Sequence, residues 1–470
     1  MKRLFKILMV FLLSFTLVGC NFLDLTIDEK PPVEEKKEAP TIKEIKYIGI
    51  TDNKKEYLMI FNDGSTQIIH ITDEVAPVVN EITILDLYEA AVEDGYSGTM
   101  SDFIAEYISD TAVDSKEGII KGLKSSVSVF AKFTKTTRTV PIIGLPQAET
   151  EDYLSAGSGV IYKLDKESGT AYIVTNHHVV YDAESDSKNG VSGDIEIYLY
   201  GLELEDFKIA ATYVGGSEKN DVAVLKITDS DIIRNSIAEV VTVADSDIVE
   251  VGDNVVAIGN AQGGGISVTK GIISVTSEYI MLNTSNHGIV DFRVMRVDAA
   301  VNKGNSGGGL FNSRGEVIGI INAKTISEEV DSIGYALPAN TVFNLADNII
   351  YYCDNRLQEK GEKVLMGVTM KIVDRVVSYD EVNDKITVKD VLKASEIAEG
   401  SLASQHFELD DEFVSITIHG KTYEITRLYQ VGDLLFKVRR NDTITIRVIR
   451  DGNLVDLEIS FTNENFNVIQ

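Results

Sequence analysis

The segment DAAVNKGNSGGGLF, from Asp298 to Phe311, places Ser306 in a glycine-rich turn directly before an apolar pair. Two earlier segments also combine turn residues with apolar residues: TNHHVV at 175–180 and NDVAVLK at 220–226. Apolar, β-branched residues beside a turn predict that the turn lies at the end of a β-strand. The three segments therefore predict a β-rich frame that presents polar side chains at strand ends.

Short runs rich in Val, Ile and Tyr recur throughout residues 118–350, separated by Gly, Asn, Asp and Ser. Examples are AYIVTN, DIEIYLY and NVVAIG. Regularly spaced short strands over such a length are typical of a β-barrel or a β-sandwich. We therefore predict a mainly β domain at 118–350.

The three segments carry, in order, a histidine, an aspartate and a serine: His178, Asp221 and Ser306. A serine hydroxyl becomes an effective nucleophile when an imidazole accepts its proton and a carboxylate fixes the imidazole tautomer. Each motif alone also has a plain structural interpretation, a hairpin turn for GNSGG and a packed strand end for HVV. Their occurrence together in one β-rich region favours a catalytic triad.

The motifs resemble those of the HtrA branch of trypsin-like serine proteases, the DegP and DegS type, whose usual strings are TNxHVV, DxAVLK and DAAxNxGNSGGPLF. The resemblance covers residues 118–350 and continues through VTKGIIS and GYALP. It implies two six-stranded antiparallel barrels, with His178 and Asp221 on the first and Ser306 on the second. It also makes His178 the base, and the adjacent His177 a variable neighbour.

The residues around the serine extend this interpretation. Glycines let the backbone bend so that the amides of Gly304 and Ser306 can both point at a developing oxyanion. Asn305 stands where proteases activated by pro-peptide cleavage have an Asp, so we do not expect that type of activation. Three apolar pocket walls follow from the family register and imply cleavage after small or medium aliphatic residues. They are Ala300, Ile321 and Ile333.

Residues 363–462 resemble one PDZ domain of the HtrA type, with short strands around the helix candidate RLYQVGDLLFKV. A PDZ groove takes an extended peptide by strand addition, and the amides of one loop receive the C-terminal carboxylate. By resemblance, that peptide-binding loop is Leu365-Met366-Gly367-Val368. The alternative is a β-module that only packs against the protease domain, because the usual Gly-Asp of the central turn is replaced around Asp410.

The N-terminus has a different pattern, in which basic residues precede a short apolar stretch ending in Leu17-Val18-Gly19-Cys20. This is typical of a signal peptide over 1–19, and it resembles the bacterial lipobox, in which the cysteine thiol receives a lipid. We therefore expect a chain held by lipid at the extracytoplasmic face of the bacterial cell membrane, with an acidic linker at 20–40. An uncleaved anchor helix is the alternative.

Between the linker and the protease domain, residues 41–112 predict a small module. Short β-runs and turn residues at 45–71 indicate a β-hairpin. Apolar residues at helical spacing over 84–108 indicate a helical hairpin. Neither part has the residues of a catalytic site.

Composition excludes several classes of function. The 470-residue chain has a formal net charge of −29, which would repel nucleic acid, so we expect no nucleic-acid partner. Its two cysteines provide neither a disulfide framework nor a cysteine-rich zinc site. We expect no metal and no cofactor.

Together these observations predict a lipid-anchored, extracytoplasmic serine endopeptidase of the HtrA type that hydrolyses peptide bonds of unfolded or damaged proteins. The alternative is a catalytically quiet protease-fold surface protein that acts as a chaperone or peptide-binding scaffold. The expected partners are unfolded or peptide substrates and, through the lipid, the membrane. The resemblance also allows a homotrimer.

Overall fold

The computed structural model describes residues 42–51, 54–61, 66–71, 88, 92, 116–139, 147–284, 286–323, 333–355, 357, 360–380 and 385–469. The expected signal peptide, Cys20, the linker and almost all of the expected helical hairpin lie outside these residues. The chain divides into two compact units, Met1–Asp114 and Ser115–Gln470.

The first unit contains a three-stranded antiparallel sheet in the order β1-β2-β3. Its strands are β1 (Ile42–Thr51), β2 (Lys54–Phe61) and β3 (Thr66–Ile71). They lie where the sequence predicts short β-runs. Tyr88 and Val92, within the segment expected to form a helical hairpin, are helical.

Five α-helices are described in the second unit, and the longest has 11 residues. They are α1 (Lys116–Ser125), α2 (His177–Val180), α3 (Asp231–Arg234), α4 (Ala339–Ile349) and α5 (Leu428–Leu435). Helix α4 continues into a π-helical turn, Ile350–Asp354.

Six antiparallel strands form a closed barrel in the order β4-β5-β6-β9-β8-β7. They are β4 (Ser126–Thr139), β5 (Gln147–Asp165), β6 (Thr170–Thr175), β7 (Asp194–Leu199), β8 (Ile209–Ser217) and β9 (Val222–Ile227). Apolar side chains that point inward from these strands form the core, among them the fully buried Val129, Ile173 and Leu225. The predicted mainly β fold is confirmed, with one closed six-stranded barrel.

A seven-stranded sheet follows, in the order β10-β15-β14-β11-β12-β13-β16, with an additional pairing of β15 with β16. Its strands are β10 (Thr242–Val243), β11 (Asn254–Gly259), β12 (Ser267–Thr284), β13 (Gly288–Val297), β14 (Gly309–Phe311), β15 (Glu316–Ile321) and β16 (Gly334–Pro338). Met295, Leu310 and Ala336 lie fully buried in its core. Strand β14 begins at Gly309, so the turn that carries Ser306 leads directly into it.

The C-terminal module has a core of its own. A six-stranded sheet runs in the order β18-β19-β20-β22-β23, with β21 paired to β20, and β17 pairs with β24. The strands are β17 (Glu362–Val364), β18 (Val368–Asp380), β19 (Lys385–Ile397), β20 (Glu412–Ile418), β21 (Lys421–Glu424), β22 (Thr443–Arg450), β23 (Asn453–Ser460) and β24 (Phe466–Val468).

Buried polar contacts join this module to the seven-stranded sheet and to α4. Arg293 of β13 lies 2.8 Å from the carboxylate of Asp433 on α5. The Arg293 guanidinium also stacks on the Tyr429 ring, 3.3 Å from its centroid. Asn348 of α4 donates its side-chain amide to the carbonyl of Phe436 at 3.0 Å. These contacts fix α5 against the preceding sheet.

Candidate active site

His178 lies in the short helix α2, directly after strand β6. Val179, 1% exposed, anchors this helix in the barrel core and leaves the His178 side chain 22% exposed at the rim. The adjacent His177 is only 6% exposed. Its ring packs on Tyr181 and Tyr213, with centroid distances of 4.6 and 6.3 Å. The two neighbouring histidines therefore have opposite environments.

Asp221 lies in the turn before β9 and is 3% exposed. Its Oδ1 accepts the backbone N–H of His178 at 2.9 Å, and its Oδ2 lies 2.7 Å from Nδ1 of the same residue. A nitrogen that faces a carboxylate at this distance carries the proton in the neutral imidazole, so Nε2 is the acceptor nitrogen. The His178–Asp221 pair therefore has the orientation of a general base and the group that holds it.

The turn of Ser306 packs on the elements that carry His178. The backbone N–H of Ser158 in β5 donates to the Ser306 carbonyl at 2.8 Å. Gly307, with φ +85°, lies so close to β6 that a Cβ there would be 2.2 Å from Thr175 Oγ1 and 3.1 Å from Asn176 N. The glycine after the serine therefore allows the two segments to meet.

The two residues directly after strand β15 contact Asp221 and Ser306, two members of the candidate triad. Asn322 donates its side-chain amide to Asp221 Oδ2 at 2.9 Å. The backbone N–H of Ala323 donates to Ser306 Oγ at 3.2 Å. Within the described parts of the chain, the Ser306 hydroxyl makes no hydrogen bond to the His178 imidazole. Sequence reasoning missed Asn322, although a polar residue directly after an apolar strand was a signal for it.

Backbone carbonyls on both sides of Gly304 are held by hydrogen bonds. The N–H of Gln262 donates to Lys303 O, and the hydroxyl of Ser158 donates to Gly304 O, both at 2.7 Å. Gly304 has φ +96°, and a Cβ would lie 2.2 Å from Asn260 O. Among the described residues, none accepts a hydrogen bond from the backbone N–H of Gly304 or Ser306. Both amides can therefore donate to a ligand oxygen.

The three expected pocket residues lie in different environments. Ala300 is exposed, and its carbonyl accepts the Thr269 hydroxyl at 2.9 Å. Ile321 is 1% exposed, and its side chain belongs to the core of the seven-stranded sheet. Its backbone N–H and carbonyl hydrogen-bond the turn after Ser306. Ile333 is half-buried. Their role as pocket walls stays a prediction.

A separate groove of about 450 Å³ lies in the C-terminal module, against the expected peptide-binding loop. Leu365, Met366, Gly367 and Val368 line it, and Leu435 of α5 contributes an apolar side chain. Among the described residues, no acceptor pairs with the backbone N–H of Met366 or Gly367. Strand β18 borders the groove and pairs with β19, whose Glu396 and Ile397 also line it.

The described residues contain neither a candidate membrane-spanning helix nor a candidate metal-ion site. None of their helices is long and apolar enough to cross a membrane. No group of three or more His, Cys, Asp or Glu side chains among them is arranged to hold a metal ion.

Comparisons with known proteins agree on one family. Residues 157–320 match the trypsin-like peptidase domain. The serine protease Do-like HtrA of Bacillus subtilis (strain 168) is 33% identical over 306 residues, covering 63% of this chain and 61% of that protein. The serine protease Do-like HtrA of Lactococcus lactis subsp. lactis (strain IL1403) is 31% identical over 320 residues, covering 65% of this chain and 71% of that protein.

The solved structure of the HtrA-type protease AlgW with decapeptide is 23% identical, covers 73% of this chain and 96% of that one, and has a TM-score of 0.44. The chain spans about three fifths of the length of the Bacillus subtilis relatives that it matches, 61% and 62%. On the sequence relationship to the Lactococcus protein and the matching peptidase domain, the chain belongs to the HtrA family of trypsin-like serine proteases.

Proposed function

We propose that this protein is a serine endopeptidase in which Ser306 attacks the scissile carbonyl, His178 accepts the serine proton and Asp221 holds the imidazole. The observation that carries the proposal is the 2.7 Å contact between His178 Nδ1 and Asp221 Oδ2. Because Nδ1 carries the proton, Nε2 keeps a lone pair for the serine proton and later returns that proton to the leaving amine. Asp221 stabilises the imidazolium formed between these steps.

The contacts of Ser306 are compatible with this role. The hydrogen bond from Ala323 N is accepted by Oγ, so the hydroxyl proton is still available for transfer to a base. Catalytic hydrogen bonds in ligand-free enzymes are often long and shorten when substrate is bound. Substrate binding would therefore complete the contact between Ser306 and His178.

The amides of Gly304 and Ser306 are proposed as the oxyanion hole. Their N–H groups have no acceptor among the described residues, and the carbonyls of Lys303 and Gly304 are fixed by Gln262 and Ser158. Donors that are already oriented stabilise a developing oxyanion without reorganising during the reaction. This arrangement can form only with a residue that tolerates φ +96° at Gly304.

We also propose that the seven-stranded sheet serves as the second barrel of a trypsin-like domain at 118–350, since its extra β15–β16 pairing joins strands far apart in the sheet order. Apolar residues at Ala300 and Ile333 favour small or medium aliphatic residues before the cleaved bond.

Residues 363–462 would then act as a PDZ-like module. Its groove has available amides at Met366 and Gly367 that suit the carboxylate of a peptide C-terminus.

We propose that the substrates are unfolded or damaged proteins outside the cytoplasm. We also propose that the enzyme is anchored to the membrane through lipid on Cys20. The support is the sequence pattern before Cys20. Cys20→Ser should prevent lipid attachment and release the chain from the membrane fraction, because the pattern contains no other acceptor for the lipid. Unchanged membrane fractionation and unchanged mass would contradict the anchor.

The test of the enzymatic proposal is cleavage of unfolded casein by the purified chain beside a Ser306→Ala variant of equal stability. We expect fragments from the wild-type chain and none above background from Ser306→Ala. Cleavage should also be measured with added peptides that have a free apolar C-terminus, so that it is compared with the groove of the C-terminal module occupied and empty. Equal, negligible cleavage by both proteins under all conditions would favour the alternative, a catalytically quiet peptide-binding scaffold.

A further inference from the structure

The turn between β12 and β13 contacts residues next to helix α2, which carries His178, and next to the turn that carries Asp221. Asn286, near its tip, donates its backbone N–H to Glu218 Oε1 at 3.2 Å and its side-chain amide to Glu218 Oε2 at 2.7 Å. The same amide hydrogen-bonds the Tyr181 hydroxyl. Glu218 lies shortly before Asp221 in the chain, and Tyr181 lies shortly after His178. The Asn286 side chain, in the turn between β12 and β13, therefore hydrogen-bonds a residue next to His178 and a residue next to Asp221.

We propose that Asn286 is a positioning residue for the His178–Asp221 pair and acts through Glu218 and Tyr181. This inference rests on the proposed serine protease function of that pair. Asn286 itself would touch neither substrate nor a reacting atom.

The route through Glu218 leads to the backbone of Asp221. The side chain of Glu218 is 10% exposed, and its carbonyl accepts the N–H of Asp221 at 3.3 Å. Asp221 has φ +51°, in the left-handed region that residues with a Cβ rarely adopt. Such a conformation persists when its surroundings hold it in place. The two hydrogen bonds from Asn286 hold the Glu218 side chain and hence this turn.

Tyr181 links Asn286 to helix α2. The Tyr181 ring packs on the ring of the buried His177, a residue of α2, with 4.6 Å between centroids. A Cβ on Gly190 would lie 2.5 Å from the Tyr181 ring, so the ring packs directly on the Gly190 backbone. Helix α2 is four residues long, so packing rather than its own hydrogen bonds sets its direction. Anchoring the Tyr181 hydroxyl to Asn286 therefore limits rotation of α2 and of the His178 imidazole.

Charge at this contact makes a graded test available. Glu218 is a carboxylate, and His287 Nε2 lies 3.8 Å from its Oε2. Asn286→Ala removes the side-chain contacts, whereas Asn286→Asp also sets a second carboxylate against the first. If the contact positions the pair, Asn286→Asp should be more damaging than Asn286→Ala.

The experiment measures kcat and KM for peptide cleavage by the full-length chain. We expect Asn286→Ala to lower kcat about tenfold with KM within about twofold, because displacement of catalytic groups acts on the chemical step. Asn286→Asp should lower kcat about a hundredfold. Lys219→Ala, an exposed change beside Glu218, is the matched control and should leave both constants unchanged.

A proton NMR spectrum supplies a readout that does not require turnover. The proton between His178 Nδ1 and Asp221 should give a low-field resonance, which Asn286→Ala should shift or broaden and Lys219→Ala should not. If Asn286→Ala does not fold, Glu218→Gln, which keeps one acceptor oxygen, should give a smaller loss in the same direction. In a Glu218→Ala background, Asn286→Ala should add little, since the contact is already lost.

The outcomes separate this inference from the proposed function. An inactive wild-type chain whose low-field resonance still responds to Asn286→Ala would contradict the protease proposal and keep the positioning role. An active wild-type chain in which Asn286→Ala changes neither kcat nor the resonance would overturn the positioning role. So would a raised KM at unchanged kcat, since it would make Asn286 a substrate contact.

Discussion

Asp221 and Asp433 are both buried carboxylates, but they are held by different donors. Asp221, 3% exposed, accepts hydrogen bonds from the backbone and ring of His178 and from the neutral amide of Asn322. Asp433, 8% exposed, faces the permanently charged guanidinium of Arg293. The first carboxylate lies at the rim of the closed barrel, and the second lies between the seven-stranded sheet and the C-terminal module.

The difference indicates what each region can do. In the proposed mechanism, Asp221 lies against the His178 ring and stabilises a positive charge that develops there during the reaction. At Asp433 the positive charge is present at all times, so the pair is suited to fixing α5 against the sheet. Burial raises the pKa of Asp433 to about 6, against the opposing effect of Arg293.

The largest expected effect separates the two carboxylates by activity. Asp221→Asn should lower kcat/KM by about 10⁴-fold, because it disturbs the tautomer of His178, the size of loss usual for such triads. Asp433→Asn should lower it less than about tenfold, because Asp433 is not in the proposed catalytic machinery. Steady-state kinetics on a peptide substrate checks both. Similar losses in the two variants would contradict the division of roles.

Removal of Arg293 should have the next largest effect, on stability. Arg293→Met leaves a buried, unpaired carboxylate and should lower the free energy of unfolding by about 3–5 kcal/mol in urea titrations. The matched control is Arg447→Met, which breaks the exposed pair with Asp456 and should cost less than about 1 kcal/mol. Equal losses would show that the interface contact adds nothing beyond a surface ion pair.

The pH dependence of stability follows from the raised pKa of Asp433. Between about pH 4 and 6 the folded chain keeps a proton that the unfolded chain has lost, so this group's contribution falls as pH rises. The free energy of unfolding of the wild type minus that of Asp433→Asn should therefore fall by roughly 2 kcal/mol from pH 4 to pH 7. Urea unfolding across this range measures it. A difference that rises with pH would have the wrong sign.

The smallest expected effect concerns His177. His177→Ala should change kcat/KM less than about tenfold, while His178→Ala lowers it by several orders of magnitude, because one imidazole accepts the serine proton. Its cost should be in stability, roughly 2 kcal/mol, since the ring is buried against Tyr181 and Tyr213. The reverse ranking in activity would mean that the register is wrong.

Sequence alone could predict the mainly β fold and the segments that hold His178, Asp221 and Ser306, because local motifs carry both. The position of Asn322 after an apolar strand was a signal that it is functional, but it could not show that its partner would be Asp221, 101 residues away. Nor could the sequence predict the pairing of Arg293 with Asp433, 140 residues apart, since each looks like an ordinary surface charge in its own segment. Such contacts depend on how separate sheets pack, and no local pattern records that.

Environment also distinguished residues that the sequence treats alike. The adjacent histidines differ because α2 turns one ring inward and leaves the other at the rim. The side chain of Ile321 lies in the core of the seven-stranded sheet and its backbone lies beside the Ser306 turn, while its role as a pocket wall stays a prediction. A register predicts position along a strand, but the twist and closure of the sheet decide which way each side chain points.

The most direct test of the central claim is covalent labelling of the folded chain with a fluorophosphonate, followed by mass spectrometry of its peptides. If Ser306 is the nucleophile and His178 its base, the wild-type chain should carry a single phosphonyl group on Ser306, and His178→Ala should label at least about a hundredfold more slowly. Cleavage of casein by a wild-type chain that carries no adduct on Ser306, or labelling at an unchanged rate in His178→Ala, would contradict the claim.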